Sequence, residues 1–316
     1  MKILVTGSSG FIGFHLIKEL LNAGYDVVGI DDHNDYYNPD LKLKRLALLT
    51  SKNFTFYNMD INNICIEDEN FDLAINLAAQ AGVRVSKDKE YLYESTNIQG
   101  FKAFCNFCKE KDIDKIIYAS SSSVYSDTAK RKFCEEETFL QPKSKYGLSK
   151  LSNEIYASEF VKSSNLSMIG LRFFSVYGPF GRPDMAYYSF TKAILEDTTI
   201  SLNNEGGMYR DMTFIDDIVQ GILGAIRYIF NPDSKNKNEI FNLGNDFPIK
   251  TSYLLHRIEN IIGKTTRIRH FTTKNENIKT HADITKAKNL LGYDPKISFD
   301  EGIKRFIDWY KHYEDT

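Results

Sequence analysis

The chain is poor in the residues that would place it in a special class. It has one tryptophan, seven prolines and four cysteines among 316 residues. Four thiols scattered as Cys65, Cys105, Cys108 and Cys134 do not make a disulfide framework in a chain this long. Cys105 and Cys108 have a CxxC spacing, but no second ligand pair accompanies them. They fall in an apolar helical stripe with Phe101, Phe104 and Phe107, so they are read as core residues and no metal is expected. The six histidines form no metal-spaced pair. No apolar run approaches the roughly 18 residues that a membrane span needs. The opening run Ile3-Leu4-Val5 is cut by Gly7, too soon for the core of a signal peptide. The net charge is −2 with no block of like charge, which excludes an electrostatic footprint for nucleic acid or an anionic membrane. A cytoplasmic protein with no nucleic-acid or membrane partner is expected.

What the chain does have is alternation. Short β-branched runs at 3–6, 27–31, 54–57, 73–77 and 116–119 are separated by helical periodicity at 12–23, 41–49 and 91–111, and a helix at 146–161 precedes a strand at 168–173. Strands apolar on both faces, alternating with helices, predict a doubly wound parallel sheet with right-handed crossovers. The pattern changes after Phe174. The stretch 175–185 carries Gly178, Pro179, Gly181 and Pro183 and reads as a loop. Beyond it lie helices at 186–196, 216–229, 252–262, 285–291 and 300–312 and a short strand at 199–202. The expected division is an α/β nucleotide-binding domain of 1–174 plus about 211–246, and a smaller, partly helical lobe of about 175–210 plus 247–316.

The first strand ends in Gly7-Ser-Ser-Gly10-Phe11-Ile12-Gly13 and a helix begins there. A strand that turns sharply into a helix brings free backbone N–H groups and the positive helix end to one point, where a pyrophosphate binds. The G-x-x-G-x-x-G spacing alone is weak and also fits a plain tight turn. Its place in a strand–helix unit strengthens it, as does Asp31 at the tip of the second strand. A carboxylate there accepts the adenosine ribose hydroxyls and repels a 2′-phosphate, and no Lys or Arg follows it directly, so NAD is expected rather than NADP.

Tyr146-Gly-Leu-Ser-Lys150 puts a phenol and an ammonium four residues apart on one helix face. The ammonium is expected to favour the phenolate and draw the tyrosine towards working pH, as an acid/base at a sugar hydroxyl requires. By itself this spacing also fits a solvated helix face. A strand ending in Ser120-Ser121-Ser122-Ser123 supplies hydroxyls at a carboxyl strand end, where ligands of open α/β sheets bind.

Taken together, the glycine loop, Asp31, Asn76-Leu77-Ala78-Ala79, the serine cluster and Tyr146-x-x-x-Lys150 resemble the extended short-chain dehydrogenase/reductase family over nearly the whole chain. The resemblance implies a Rossmann-type fold, with Tyr146, Lys150 and Ser121 as catalytic residues. It also implies that Asp60 and Ile61, after the third strand, sit at the adenine, and that the protein is a homodimer built on the long helices. Asp31-Asp-His-Asn-Asp-Tyr-Tyr-Asn-Pro-Asp-Leu-Lys42, Ala78-Ala-Gln-Ala-Gly-Val-Arg84, Leu171-Arg-Phe-Phe-Ser175-Val-Tyr-Gly-Pro179, Gly181-Arg182-Pro-Asp-Met-Ala186 and Arg210-Asp-Met-Thr-Phe-Ile-Asp-Asp217 look like the UDP-glucuronate 4-epimerase branch. That branch oxidises C4 of a nucleotide-linked uronate reversibly and returns hydride to the other face. The implied substrate ligands are Arg84, Ser122, Ser123, Ser175, Arg182, Arg210 and Asn277, with the two later arginines on the diphosphate and the serines on the uronate carboxylate. Asn277 stands where the branch carries an aspartate for the nucleotide ribose. GDP-sugars therefore stay open as substrates; neutral UDP-hexoses and UDP-N-acetylhexosamines, and a decarboxylating outcome, stay open independently of that residue.

Overall fold

The computed structural model describes residues 1–83, 85–126, 131–233, 237–272 and 277–314. In chain order the elements are β1 (Lys2–Thr6), α1 (Phe11–Asn22), β2 (Asp26–Asp31), α2 (Asp40–Ala47), β3 (Phe54–Asn58), β4 (Leu73–Asn76), α3 (Gly100–Glu110), β5 (Lys115–Ser121), α4 (Lys145–Lys162), β6 (Ser167–Phe173) and β7 (Ser175–Tyr177). There follow α5 (Ala186–Leu195), β8 (Ile200–Asn203), β9 (Tyr209–Phe214), α6 (Ile215–Ile229), β10 (Asn238–Leu243), β11 (Pro248–Lys250), α7 (Thr251–Ile262), β12 (Ile268–Phe271), α8 (Thr285–Leu291) and α9 (Phe299–Glu314).

Seven strands form one parallel sheet in the order β10-β6-β5-β4-β1-β2-β3. The β-branched runs place their side chains alternately on the two faces. Ile3 and Val5 enter the core on the α1 and α6 side, and Leu4 enters the core under α3. Chain order reverses between β1 and β4, so a crevice opens beyond the carboxyl ends of these two strands. This is the binding place of doubly wound sheets. Across it, the Thr6 hydroxyl donates to Asn76 Oδ1 (3.1 Å) and accepts from the Ala78 amide (3.3 Å), which fixes the two strand ends together.

The second lobe differs from expectation in its detail. Residues 175–177 were read as loop but form β7, which pairs in parallel with β9 while β9 pairs antiparallel with β11. β12 pairs with β8. Each of these short strands is specified by a partner distant in sequence, which local composition does not reveal. The helix expected over 91–111 forms without a break, but it is not uniform. Its first part is one widened turn, Tyr93–Gln99, before regular α3 begins. Cys105 and Cys108 are fully buried free thiols, raised by burial. Among the described residues no helix is long and apolar enough to cross a membrane.

Candidate active site

A cavity of about 600 Å³ runs from the glycine loop, past the carboxyl ends of β4 and β5, to the second lobe. At one end the β1–α1 turn is packed without slack. A Cβ on Gly7 would lie 2.7 Å from the Ala78 amide nitrogen, and one on Gly13 would lie 2.1 Å from the Gly7 carbonyl oxygen. Gly7 also has φ 70°, a conformation that favours glycine. The amino end of α1 opens on Gly10 with no side-chain cap and no acid in its first turn. Its N–H groups and positive end are thus left for an anion. The buried Ser9 hydroxyl has no partner among the described residues. Asp31 is buried, with its carboxylate accepting from the Ser9 amide (3.2 Å) and the His33 amide (3.0 Å). These groups fit a dinucleotide: amides for the diphosphate and a fixed carboxylate for a ribose.

Gly7, Gly10, Phe11, Ile12, Gly13, Asp31, Ile61, Leu77, Ala78 and Ala79 all line the cavity. Asp60 does not. Its carboxylate accepts from the Asn62 amide (2.7 Å) and side chain (2.8 Å), capping the turn at Ile61–Asn63. One cation was missed: Lys42, buried on α2, brings its Nζ to 3.9 Å from Asp31 and donates to the Asn34 carbonyl. Although 11 positions past Asp31 in sequence, it returns beside that carboxylate through the fold.

At the reacting end, Ser144 caps α4 by accepting from the Gly147 amide (3.0 Å), which places Tyr146 in the first turn and Lys150 one turn on. Lys150 is buried and donates to the Ala119 carbonyl (3.0 Å), with Nζ 5.9 Å from the Tyr146 ring centre. Burial lowers its ammonium to about 8, opposed by the charge of Glu154. Ser121 hydrogen-bonds the Tyr146 phenol, and the Ser121 oxygen also accepts from the Ser123 amide (3.1 Å). The phenol does not reach the lowered value expected from the Tyr–Lys spacing. Burial raises it, against the Arg182 charge and the Ser121 hydrogen bond, and the Lys150 ammonium is turned to a backbone carbonyl.

The site is braced from two sides. In the widened turn, buried Asn97 accepts from the Gln80 amide (2.7 Å) and donates to the Gln80 carbonyl (3.1 Å) and to the Ser149 hydroxyl (2.9 Å). Ser149 in turn donates to the Tyr146 carbonyl (2.8 Å). The wide turn therefore ties the loop after β4 to the helix bearing Tyr146, a use typical of such turns. Beneath, Glu154 holds Arg172 through a two-pronged buried ion pair (2.9 and 2.7 Å) and accepts from Ser120. Periodicity alone signalled neither brace.

The second lobe supplies Ser175, Arg182, Arg210 and Asn277, and β5 and its following turn supply Ser121, Ser122 and Ser123. All seven line the cavity. Arg84 lies outside the described residues. Arg182 Nε and Nη2 grip the Asp184 carboxylate (3.0 and 2.6 Å), and Tyr36 donates to the same carboxylate (3.1 Å). Burial alone would raise Asp184, but the Arg182 guanidinium holds it low. Arg210 donates to the Asn277 carbonyl (2.9 Å). Asn277 Oδ1 is buried without a partner among the described residues, an acceptor suited to a ligand hydroxyl. The cavity thus joins a dinucleotide cradle, a phenol–ammonium–hydroxyl set and separate cations for anionic groups.

The chain matches the model of the NAD dependent epimerase/dehydratase family over residues 3–244. It is similar to Protein CapI of Staphylococcus aureus, 38% identical over 99% of this chain and 99% of that protein. It is equally similar to UDP-glucuronate 4-epimerase 3 of Arabidopsis thaliana, 38% identical over 99% of this chain and 77% of the plant protein. Among solved structures it is similar to the UDP-glucuronic acid 4-epimerase of Bacillus cereus in complex with UDP-glucuronic acid and NAD. That likeness has a TM-score of 0.91 and 34% identity, and covers 99% of this chain and all of the other.

Proposed function

The chain belongs to the NAD dependent epimerase/dehydratase family, and from that premise we propose that it interconverts UDP-glucuronate and UDP-galacturonate by inverting C4 of the uronate. The observation that carries this reading is the meeting, in one cavity, of the Tyr146–Ser121–Lys150 set with the Arg182 cation, whose charge acts on the Tyr146 phenol. A cation so close to the reacting tyrosine faces the sugar end of a nucleotide sugar, where a uronate carries its carboxylate. We therefore move Arg182 from the diphosphate, where the resemblance put it, to that carboxylate, and keep Arg210 on the diphosphate.

NAD supplies a hydride acceptor that gives the hydride back, so the reaction has no net redox change. In the cradle, the amides at Phe11, Ile12 and Gly13 would hold its diphosphate beside Gly7 and Gly10, Asp31 its adenosine ribose, and Ile61, Leu77, Ala78 and Ala79 its flat faces. Positive charge from Lys150 and from bound NAD+ would favour the Tyr146 phenolate, the form that takes the proton from the C4 hydroxyl and later gives it back. Ser121 steadies the oxygen by hydrogen bonding, and Lys150 keeps positive charge beside the phenol. In the 4-keto sugar the carboxylate is β to a ketone and is prone to leave as CO2. Loss requires the C5–carboxylate bond to stand perpendicular to the ketone plane. Ser122, Ser123 and Ser175, with Arg182, hold the group against that rotation. Arg84 stands in the substrate motif, and Asn277 accepts from the nucleotide ribose.

We assign the nucleotide half to 1–174 with 211–246 and the sugar lobe to 175–210 with 247–316. We also propose a cytoplasmic homodimer joined along α3 and α4, where Leu148 and Ile155 are exposed apolar side chains. The test of function is incubation of the purified chain with UDP-glucuronate and, separately, UDP-glucose, with products identified by NMR. UDP-galacturonate as the main product supports the reading. Preferential turnover of UDP-glucose overturns it in favour of a neutral-sugar epimerase, and CO2 with a pentose product overturns it in favour of a decarboxylase.

A further inference from the structure

We propose that Arg45 is a positioning residue that locks the dinucleotide loop and the Arg182 loop into one unit, so that filling the first orders the second. Arg45 lies on α2 with no exposed surface. Its Nη1 donates to the Ser9 carbonyl of the glycine loop (3.0 Å) and to the Tyr37 hydroxyl (2.7 Å). Its Nε and Nη2 both donate to the Phe180 carbonyl (3.1 and 2.6 Å), and Nη2 also reaches the Gly181 carbonyl (3.3 Å). One planar fork therefore spans two loops that are 171 positions apart.

The loop it grips is fixed at successive residues. His15 on α1 donates to the Pro179 carbonyl (2.9 Å). Burial lowers His15 to about 4, so it is neutral near pH 7 and serves as a hydrogen-bond donor without adding charge. Phe180 adopts φ 58°, a strained conformation for a phenylalanine, and is wedged between Phe14 and Trp309 (ring centres 5.1 and 4.9 Å apart). A Cβ on Gly181 would fall 1.9 Å from the Tyr187 hydroxyl. The residue that follows this fixed stretch is Arg182.

Charge supplies the second half of the argument. Among the described residues no carboxylate pairs with Arg45; carbonyls, a hydroxyl and the Tyr37 ring face surround it. A buried cation without a counter-ion is costly, and a nearby anion recovers that cost. The Ser9 carbonyl belongs to the same loop whose amides face the cavity, so a dinucleotide diphosphate is the anion this charge would feel. Binding there strengthens the fork and, through Phe180 and Gly181, the setting of Arg182. A lysine keeps the charge but cannot bridge both loops, because an ammonium lacks the planar fork.

The test is Arg45→Lys on the full chain freed of nucleotide. NADH affinity is read by fluorescence titration, and KM and kcat are read with UDP-glucuronate. Both the NADH Kd and KM are expected to rise about tenfold while kcat changes less than about threefold, as for a coupling lost between two binding loops. Unchanged NADH affinity, or a change confined to the melting temperature, overturns the proposal. Hydrogen exchange on the wild-type chain decides the matter even if the variant fails to fold. Adding NAD alone should slow exchange at Phe180 and Gly181, which lie outside the cavity lining, and unchanged exchange there overturns the coupling. The KM measurement rests on the uronate reading. The NADH and exchange measurements do not, so a wild-type chain inactive on UDP-glucuronate would sink that reading and leave Arg45 to be judged by the other two.

Discussion

Replacing Tyr146 by phenylalanine removes one oxygen and leaves the ring, so its consequences separate chemistry from architecture. The ring keeps its contact with Tyr93, whose centre lies 6.2 Å away, and α4 keeps its Ser144 cap. The phenol is raised by burial and so is neutral in the folded chain near pH 7. The substitution therefore deletes a neutral group that hydrogen-bonds Ser121, a change of about 1 kcal/mol in stability. Substrate affinity should move by a similar amount, about fivefold or less. Turnover is different, because among the described residues no other side chain placed at the reacting end offers an acid/base paired with Lys150. Loss of a positioned acid/base lowers kcat by about a hundredfold to ten-thousandfold, or about 2.7–5.4 kcal/mol of barrier. The assay is NMR-monitored conversion of UDP-glucuronate at saturating and limiting concentrations, with a urea melt on the same preparation. A kcat within about tenfold of wild type would refute the role given to Tyr146. So would a larger loss matched by an equal fall in the folded fraction.

Three further outcomes follow from charges the fold brings together. Asp31→Asn removes the charge that repels a 2′-phosphate while leaving Lys42 in place. The NADPH-to-NADH affinity ratio should rise by about tenfold or more in fluorescence titrations, and an unchanged ratio would contradict the assignment of Asp31. Lys150 is charged only below about 8, and Glu154 supports that charge. Activity should therefore fall as pH rises through about 8, and in Glu154→Gln that fall should begin at lower pH; coincident pH profiles would remove Glu154 from the account. Burial holds Asp211 at about 6 against an ordinary 3.8, despite accepting from the Ala282 and Asn245 amides. The folded chain thus binds the extra proton between those values, and its stability falls as pH rises through that window, by up to about 3 kcal/mol. Urea melts of wild type and Asp211→Asn at paired pH values should show that slope only in the wild type.

What the sequence revealed was whatever depends on neighbours along the chain. Ile3-Leu4-Val5 running into Gly7 announces a buried strand and a tight turn, and Tyr146 and Lys150 share a helix face by spacing alone. β7 escaped because it exists through its pairing with β9, about forty positions away. The widened turn at Tyr93–Gln99 escaped because its cause, Asn97 reaching Gln80 and Ser149, is tertiary. The same limit applies to the site. Lys42 read only as the end of a motif and Arg45 as no part of one, yet both are buried and directed at the dinucleotide end. Asp184 read as part of a motif, and only the fold shows it holding Arg182 and Tyr36. Asp60 has a local role besides the one its motif implies. A carboxylate two residues before a free amide is a turn cap, and that bond is formed through one of its oxygens.

The distribution of cations bears on how an anionic substrate is captured. A chain with net charge −2 offers a nucleotide sugar no attraction from afar, and at physiological salt any such field fades beyond about 8 Å. Recognition must then be local. Four of the cations that line the cavity are tethered: Lys42 to the Asn34 carbonyl, Lys150 to the Ala119 carbonyl, Arg182 to Asp184 and Arg210 to the Asn277 carbonyl. A carbonyl tether orients a cation without neutralising it, so Lys150 keeps its charge for a ligand. Arg182 is tethered by a carboxylate, so a substrate carboxylate must compete with Asp184 for the same guanidinium. That competition costs affinity for the uronate, but it means Arg182 stays in place when the sugar turns over in the site and its carboxylate lets go for a moment. A site whose substrate must detach, rotate and rebind needs an arginine that does not move with it, and Asp184 with Tyr36 provides that anchor.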